Sequence, residues 1–309
     1  MPTETPPVSI DRRLLISAAS GVAAGAAAGL VGGVMAAHAA QPRVVALAPD
    51  KRFADKVVVV TGGTSGIGKA AVERFAREGA SVAFCGRREA LGREVQDQIK
   101  RAGGKVLYVR ADVREEKDVA AFVEQTVAAF GGIDIAFNNA GISIEKPLHE
   151  FALEDWNDVV NTNLRGVFLA MKHQIPRMIE RGGGVILVTS SMVANYTSAQ
   201  RSVYTATKTG LIGMVRSAAL DYADRGIRVN AILPGVTDTA FIRRLAGTDA
   251  MPDELWRVAA AQWGKTNLRG LKRMATPEEI AIFAVAMASP ELTYLTGASL
   301  SADGGGGVG

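Results

Sequence analysis

Val57-Val58-Val59-Val60-Thr61-Gly62-Gly63-Thr64-Ser65-Gly66-Ile67-Gly68 joins a run of β-branched residues to a glycine-rich turn, immediately before a stretch with helical periodicity. Five such residues in succession fit a strand buried on both faces, as in a parallel sheet covered by helices. Without a Cβ, Gly62, Gly66 and Gly68 let the backbone turn tightly and approach a pyrophosphate, while the helix that follows offers free N–H groups and a positive dipole end. Placement after a strand and before a helix separates this pattern from an ordinary strand-to-helix loop. A dinucleotide is the expected guest.

Working outward, apolar runs alternate with amphipathic stretches from Lys56 onward. The expected strands are Val57 to Thr61, Ser81 to Gly86, Lys105 to Arg110, Ile133 to Asn138, Val185 to Thr189, Ile227 to Ile232 and Ala298 to Ser301. Helices are expected near 66–78, 88–102, 115–130, 153–180, 202–224 and 277–288. This alternation predicts an α/β fold: a single Rossmann-type, doubly wound domain over 56–309, with a seven-stranded parallel sheet and helices on both faces.

The second strand ends at Gly86 and is followed by Arg87-Arg88. A carboxylate at the end of this strand would accept hydrogen bonds from the ribose diol of NAD, whereas an arginine pairs with the 2′-phosphate of NADP. Gly86 removes the acid and Arg87 supplies the cation, which favours NADP and leaves NAD possible. The plainer reading is that both arginines cover the start of a solvated helix.

A second constellation lies further along. The strand Val185 to Thr189 leads into Ser190-Ser191, and Tyr204-Thr205-Ala206-Thr207-Lys208 follows. Residues four apart share a helix face, so the Lys208 ammonium can sit beside the Tyr204 phenol and favour its ionised form. Such help suits general acid/base work, because a free tyrosine titrates near pH ~10. Ser191, at a strand end, can hydrogen-bond the same reacting oxygen. In isolation the pair would more often be a solvated surface contact, so its weight comes from the rest of the pattern.

The 309 residues, 48% hydrophobic and 21% charged, suit one globular domain with a sizeable core. The formal net charge is only +4 and basic residues are interspersed with acids, so nucleic acid is not an expected partner. Cys85, the only cysteine, excludes an intramolecular disulfide and a cysteine-based metal cluster; no metal is expected. Residues 1–39 read as an address: Arg12-Arg13 precede an apolar Gly/Ala-rich run from Leu14 to Ala37, and Ala37-His38-Ala39 fits a signal-peptidase site before Ala40. The pattern resembles a twin-arginine export signal, implying a periplasmic or exported protein. An uncleaved membrane anchor over 14–37 and a mis-assigned start are the alternatives. Residues 40–55 read as a linker.

Together these motifs resemble the short-chain dehydrogenase/reductase family over Lys56 to Gly305, in its compact branch. Thr61-Gly62, Thr64, Ser65, Gly66, Ile67 and Gly68 resemble the cofactor loop, Asp112-Val113 the adenine contact, and Asn139-Ala140-Gly141 the turn after the fourth strand. Asn163 resembles the catalytic asparagine, completing a set with Ser191, Tyr204 and Lys208, while Pro234-Gly235-Val236 and Thr239 resemble the segment that contacts the nicotinamide. Many NADP-dependent relatives carry a basic residue where this chain has Ser65, leaving Arg87 as the main support for NADP. An epimerase of the extended branch does not fit the loop spacing or the short C-terminal part.

The resemblance implies hydride transfer between a nicotinamide cofactor and a small-molecule carbonyl or secondary alcohol. Tyr204 would be the acid/base, Ser191 would polarise the carbonyl, Lys208 would hold the ribose hydroxyls and lower the Tyr204 pKa, and Asn163 would position a water. Substrate choice would sit in 240–270, whose Phe241, Met251, Trp256 and Trp263 fit a cover, a subunit contact or a core equally well. The helices near 153–180 and 202–224 imply a homotetramer or homodimer. The competing readings are a nucleotide-binding regulatory or scaffold protein without turnover and a reductase tethered through 14–37.

Overall fold

The computed structural model describes residues 51–307. The signal or anchor expected over 1–39 and the first part of the linker lie outside the described residues. Seven strands form one parallel sheet in the order β3-β2-β1-β4-β5-β6-β7: β1 (Val57–Thr61), β2 (Ser81–Gly86), β3 (Lys105–Arg110), β4 (Ile135–Asn138), β5 (Gly184–Thr189), β6 (Ile227–Pro234) and β7 (Ser299–Ala302). The chain reverses direction across the sheet between β1 and β4. That switch opens a crevice at the carboxyl ends of the strands, where ligands of such sheets bind.

The sheet is apolar on both faces, as the valine run of β1 requires. One face carries Val58, Val60, Val82, Phe84 and Phe137 beneath α1 (Gly66–Arg77), α2 (Glu89–Arg101) and α9 (Pro277–Met287). The other carries Val59, Ala83, Ala136, Ile186 and Val229 beneath α3 (Glu116–Phe130), α5 (Gly166–Glu180) and α6 (Ser202–Tyr222). Cys85 is buried in β2, and burial pushes its thiol up to about 12, so it stays an inert apolar filler.

Three features depart from the expected layout. The helix expected over 153–180 is α4 (Leu153–Val160), then a π-helical turn over Asn161–Arg165, then α5. The extra residue per turn of a π segment shifts the side chains that follow, and such turns recur at functional sites. The segment 240–270 holds two helices that its mixed pattern hid, α7 (Ala240–Leu245) and α8 (Asp253–Asn267). Finally, Phe53, within the stretch read as linker, is 1% exposed and packs edge-on against Phe75 at 5.3 Å. Arg52 closes on Glu78 at 2.7 and 2.9 Å. Burial works to raise the Glu78 carboxyl, but hydrogen bonds and charge from Arg52 and Arg74 outweigh it and hold the group below the usual carboxylate range.

Candidate active site

The Gly62 turn is locked onto the end of β4. Thr61 Oγ1 accepts hydrogen bonds from the backbone N–H groups of Asn139, at 3.0 Å, and Ala140, at 3.2 Å. Gly62 has φ of 72°, and a Cβ there would lie 2.9 Å from Ala140 Cα, so only glycine permits this approach. Above the turn, α1 begins with no acid in its first turn, and its N-cap Ser65 makes no side-chain capping bond. Its first N–H groups are therefore left to a ligand. The cleft above has a volume of about 770 Å³, within the range for a small-molecule or cofactor site. A glycine cradle, a helix N-terminus without an acidic competitor and a cleft of this size fit a nicotinamide dinucleotide.

At the far end of the cleft, Asp112 is enclosed by arginines. Burial works to raise its carboxyl, but hydrogen bonds from Arg114 and the charges of Arg114 and Arg87 outweigh it and hold the group below its usual range. Arg87 lies 3.7 Å from Asp112 Oδ2, while Arg88 turns inward and donates to Thr64 Oγ1 at 2.9 Å and Ser65 Oγ at 2.5 Å. Arg244, on α7, lines the same cleft. Desolvation, then the charges of Arg244 and Arg87, lower the Arg88 pKa. A Cβ on Gly86 would meet Thr64 Cγ2 at 2.7 Å, so an acid cannot enter at this position unless Thr64 moves. Sequence reasoning singled out Arg87 and passed over Arg88 and Arg244; the hydroxyls that orient Arg88 come from a different loop.

At the near end, Ser191, Tyr204 and Lys208 converge. Ser191 ends the β5 loop, and its hydroxyl hydrogen-bonds the Tyr204 phenol. Lys208 is 3% exposed; its Nζ donates to Thr189 O at 2.7 Å and stands 5.6 Å from the centre of the Tyr204 ring. Ser190 Oγ donates to Lys208 O at 2.7 Å, joining the strand end to α6. Burial lowers the Lys208 ammonium to about 7. Burial also raises the Tyr204 phenol, and the Ser191 hydrogen bond and the Arg201 charge only partly offset that. Burial at Tyr204 therefore works against the depressed phenol expected from Lys208. A lysine that titrates near neutrality carries its full charge only part of the time, so it lowers its neighbour less.

Asn163, in the π-helical turn, is wholly buried. Its Oδ1 accepts from Ile142 N at 2.8 Å, and its Nδ2 donates to Ile142 O at 2.9 Å and to Thr207 Oγ1 at 3.2 Å. These bonds reach other segments rather than its own helix, and they clamp the loop after β4 to α6. The catalytic and cofactor residues singled out all line the cleft except Thr61, at the end of β1, Gly68, which packs in the first turn of α1, and Asn163, which stands behind the wall. In 240–270, Trp256 and Trp263 form a separate small core with Ile242, Ala246 and Met274. Trp256 Nε1 donates to Asp238 Oδ1 at 2.6 Å. Of the four residues singled out in that segment, Phe241 alone lines the cleft, its ring 6.3 Å from that of Tyr204.

A family model for short chain dehydrogenase matches residues 56–249. The 2,5-dichloro-2,5-cyclohexadiene-1,4-diol dehydrogenase of Sphingobium indicum is 39% identical over 252 residues, covering 81% of this chain and 96% of that protein. The cis-4-hydroxycyclohexanecarboxylate dehydrogenase of Sinomonas cyclohexanicum is 38% identical over 254 residues, covering 82% and 97%. Among solved structures, levodione reductase superposes with a TM-score of 0.74 at 32% identity, covering 82% of this chain and 98% of that one.

Proposed function

This chain belongs to the short-chain dehydrogenase family and is an oxidoreductase of CH–OH and C=O groups, and from that premise we propose that it interconverts a ring-borne secondary alcohol and its ketone with NADP. The observation that carries the reading is the convergence of Ser191, Tyr204 and Lys208 at one end of the cleft that the Gly62 turn and α1 open at the other. The cofactor, when bound, supplies the acceptor or donor of the hydride.

In the oxidation direction Tyr204 takes the hydroxyl proton as the hydride leaves the carbinol carbon; in reduction it returns that proton to the developing alkoxide. Ser191, already bonded to the phenol, donates to the same substrate oxygen. Lys208, anchored by the Thr189 carbonyl, orients the ribose hydroxyls, and Asn163 holds the Ile142 loop against α6 so that this geometry persists. A carbocyclic substrate fits the apolar wall of Ile144, Met192, Val193, Phe241 and Leu245. Two of the relatives are named for six-membered-ring alcohols.

The preference for NADP rests on the three arginines of the far end and on glycine, rather than an acid, at position 86. A fluorescence titration of wild type, Arg88→Ala and Arg87→Ala with NADPH and NADH tests it. Loss of a bidentate phosphate contact should weaken NADPH by about 10- to 100-fold and leave NADH within about 3-fold. Tighter binding of NADH by the wild type overturns the NADP reading. Cyclohexanol oxidation, followed by nicotinamide absorbance, tests the reaction. A folded, cofactor-binding protein that turns over neither cyclohexanol nor a ring diol would favour the regulatory alternative.

Assembly and location complete the reading. Phe168 and Ile179 on α5 and Leu220 on α6 are exposed apolar residues, the last at 84%, and they support a homotetramer formed through these helices. Light scattering of a Leu220→Glu variant should show a smaller assembly than the wild type. Export rests on the Arg12-Arg13 segment. A mature N-terminus at Ala40 in the periplasmic fraction supports it, and full-length chain in the membrane fraction points to the anchor.

A further inference from the structure

Close to Tyr204 sits a charged pair that the proposed chemistry does not use. Arg201, three residues before Tyr204, lines the cleft with a side chain only 11% exposed. Its Nη2 lies 2.7 Å from Oε1 of Glu145, which is 19% exposed and does not line the cleft. The two atoms are close enough for an ion pair, yet neither finds a hydrogen bond of acceptable angle. Ser143 Oγ, from another cleft-lining residue, is also buried without a partner. Gln200, immediately before Arg201, has φ of 67°, a conformation that non-glycine residues hold only when the surroundings impose it.

A strut between the 143–147 loop and the 196–201 loop would not need this arrangement. The loops are already joined by the Lys146 N–H donating to Gln200 O at 3.0 Å, and Lys146 Nζ anchors the first loop to Asp155 at 2.5 Å. The cleft that Arg201 lines also carries the apolar side chains of Ile144, Met192, Val193, Phe241 and Leu245. Buried charge in such a place is costly unless paired and hydrogen-bonded. Glu145 supplies the pairing at Nη2, and Arg201 Nε and Nη1 make no hydrogen bond to the described residues, which leaves donors for a ligand in the cleft that Arg201 lines.

We propose that Arg201, backed by Glu145, is a specificity-determining residue that donates a hydrogen bond to a second oxygen of the substrate, remote from the carbon that exchanges hydride. The inference rests on the proposed reading that a ring alcohol or ketone occupies this half of the cleft. Because Glu145 neutralises the guanidinium, the pair favours an uncharged acceptor, a hydroxyl or carbonyl, over a carboxylate. Ser143 supplies a further hydroxyl at the same wall. A site built to bond a substrate oxygen discriminates strongly against the analogue that lacks it, because its own polar groups are then left unpaired.

The test uses the Tyr204→Phe protein loaded with NADPH, in which ligands bind without turnover. Calorimetric titration compares cyclohexanone, 4-hydroxycyclohexanone and 4-oxocyclohexanecarboxylate. The hydroxyketone should bind at least about 10-fold more tightly than cyclohexanone, and Arg201→Met should reduce that advantage to within about 3-fold. Glu145→Gln keeps the shape of the pair while leaving Arg201 positive, and it should shift preference toward the carboxylate by about 10-fold. Equal binding of cyclohexanone and the hydroxyketone before Arg201 is changed overturns the inference, as does an equal loss for all three ligands in Arg201→Met. If Arg201→Met fails to fold, Glu145→Gln with its expected shift decides the matter. Failure of the hydride-transfer reading shows separately, as no change in nicotinamide absorbance when wild type meets the corresponding alcohols.

Discussion

Replacing Lys208 with methionine should stabilise the unliganded protein near neutral pH while ending its turnover. Lysine ordinarily titrates at 10.5 and here at about 7. Between these values the unfolded chain binds a proton that the folded chain has released, so stability rises with pH across that window. At pH ~7 nearly the whole difference acts against the folded state, about 5 kcal/mol at ~1.4 kcal/mol per unit. Methionine has a similar length and no charge to desolvate, but it strips the Thr189 carbonyl of its donor, returning about 1–3 kcal/mol. The expected gain in urea denaturation at pH ~7 is therefore about 2–4 kcal/mol, and it should shrink by about 3 kcal/mol at pH ~9.5. Titrating groups remote from Lys208 cancel between the two proteins. A Lys208→Met difference that is the same at both pH values would refute the claim that burial, rather than a fixed packing contact, sets the state of this lysine.

Tyr204→Phe should lower kcat by at least about 1,000-fold and leave the Kd for NADPH within about 3-fold; activity near wild type would remove Tyr204 from the acid/base role. Because burial raises the Tyr204 phenol, alcohol oxidation needs a proton acceptor that forms only at alkaline pH. kcat/KM for oxidation should therefore climb steadily past pH ~9, and a plateau below neutrality would contradict the raised phenol. Asn163→Ala would strand the Ile142 N–H and C=O and should cost about 2–4 kcal/mol in urea melts, with a fall in kcat. Phe53→Ala should cost about 3–5 kcal/mol, as expected of a buried aromatic and not of a linker residue.

Much of the architecture was legible because it is local. The valine run of β1, the glycines after it and the strand-helix alternation required one kind of sheet, and the central strands fall at or within two residues of their expected bounds. The Tyr204 and Lys208 pair was legible through helical spacing, and its neighbour Ser191 through its place at a strand end. The π-helical turn at Asn161–Arg165 was not, because a helix of ordinary periodicity and one with an added residue look alike until Asn163 finds Ile142. Helices α7 and α8 were also hidden. Their apolar residues serve a small separate core around Trp256 and Trp263 rather than the main sheet, so the pattern had no familiar surface to match.

From the sequence alone follow a parallel α/β sheet, a glycine-rich turn after its first strand, and a tyrosine and lysine on one helix, because each depends on residues a few positions apart. Only the tertiary structure decided which arginines gather at the cofactor end, since Arg88 is aimed by Thr64 and Ser65 and faces Arg244 from a distant helix. It also decided the direction in which burial moves the Tyr204 and Lys208 titrations. Spacing places an ammonium near a phenol, but how much charge that ammonium carries depends on the water removed around it. At Lys208 that desolvation is set by the whole packed surroundings.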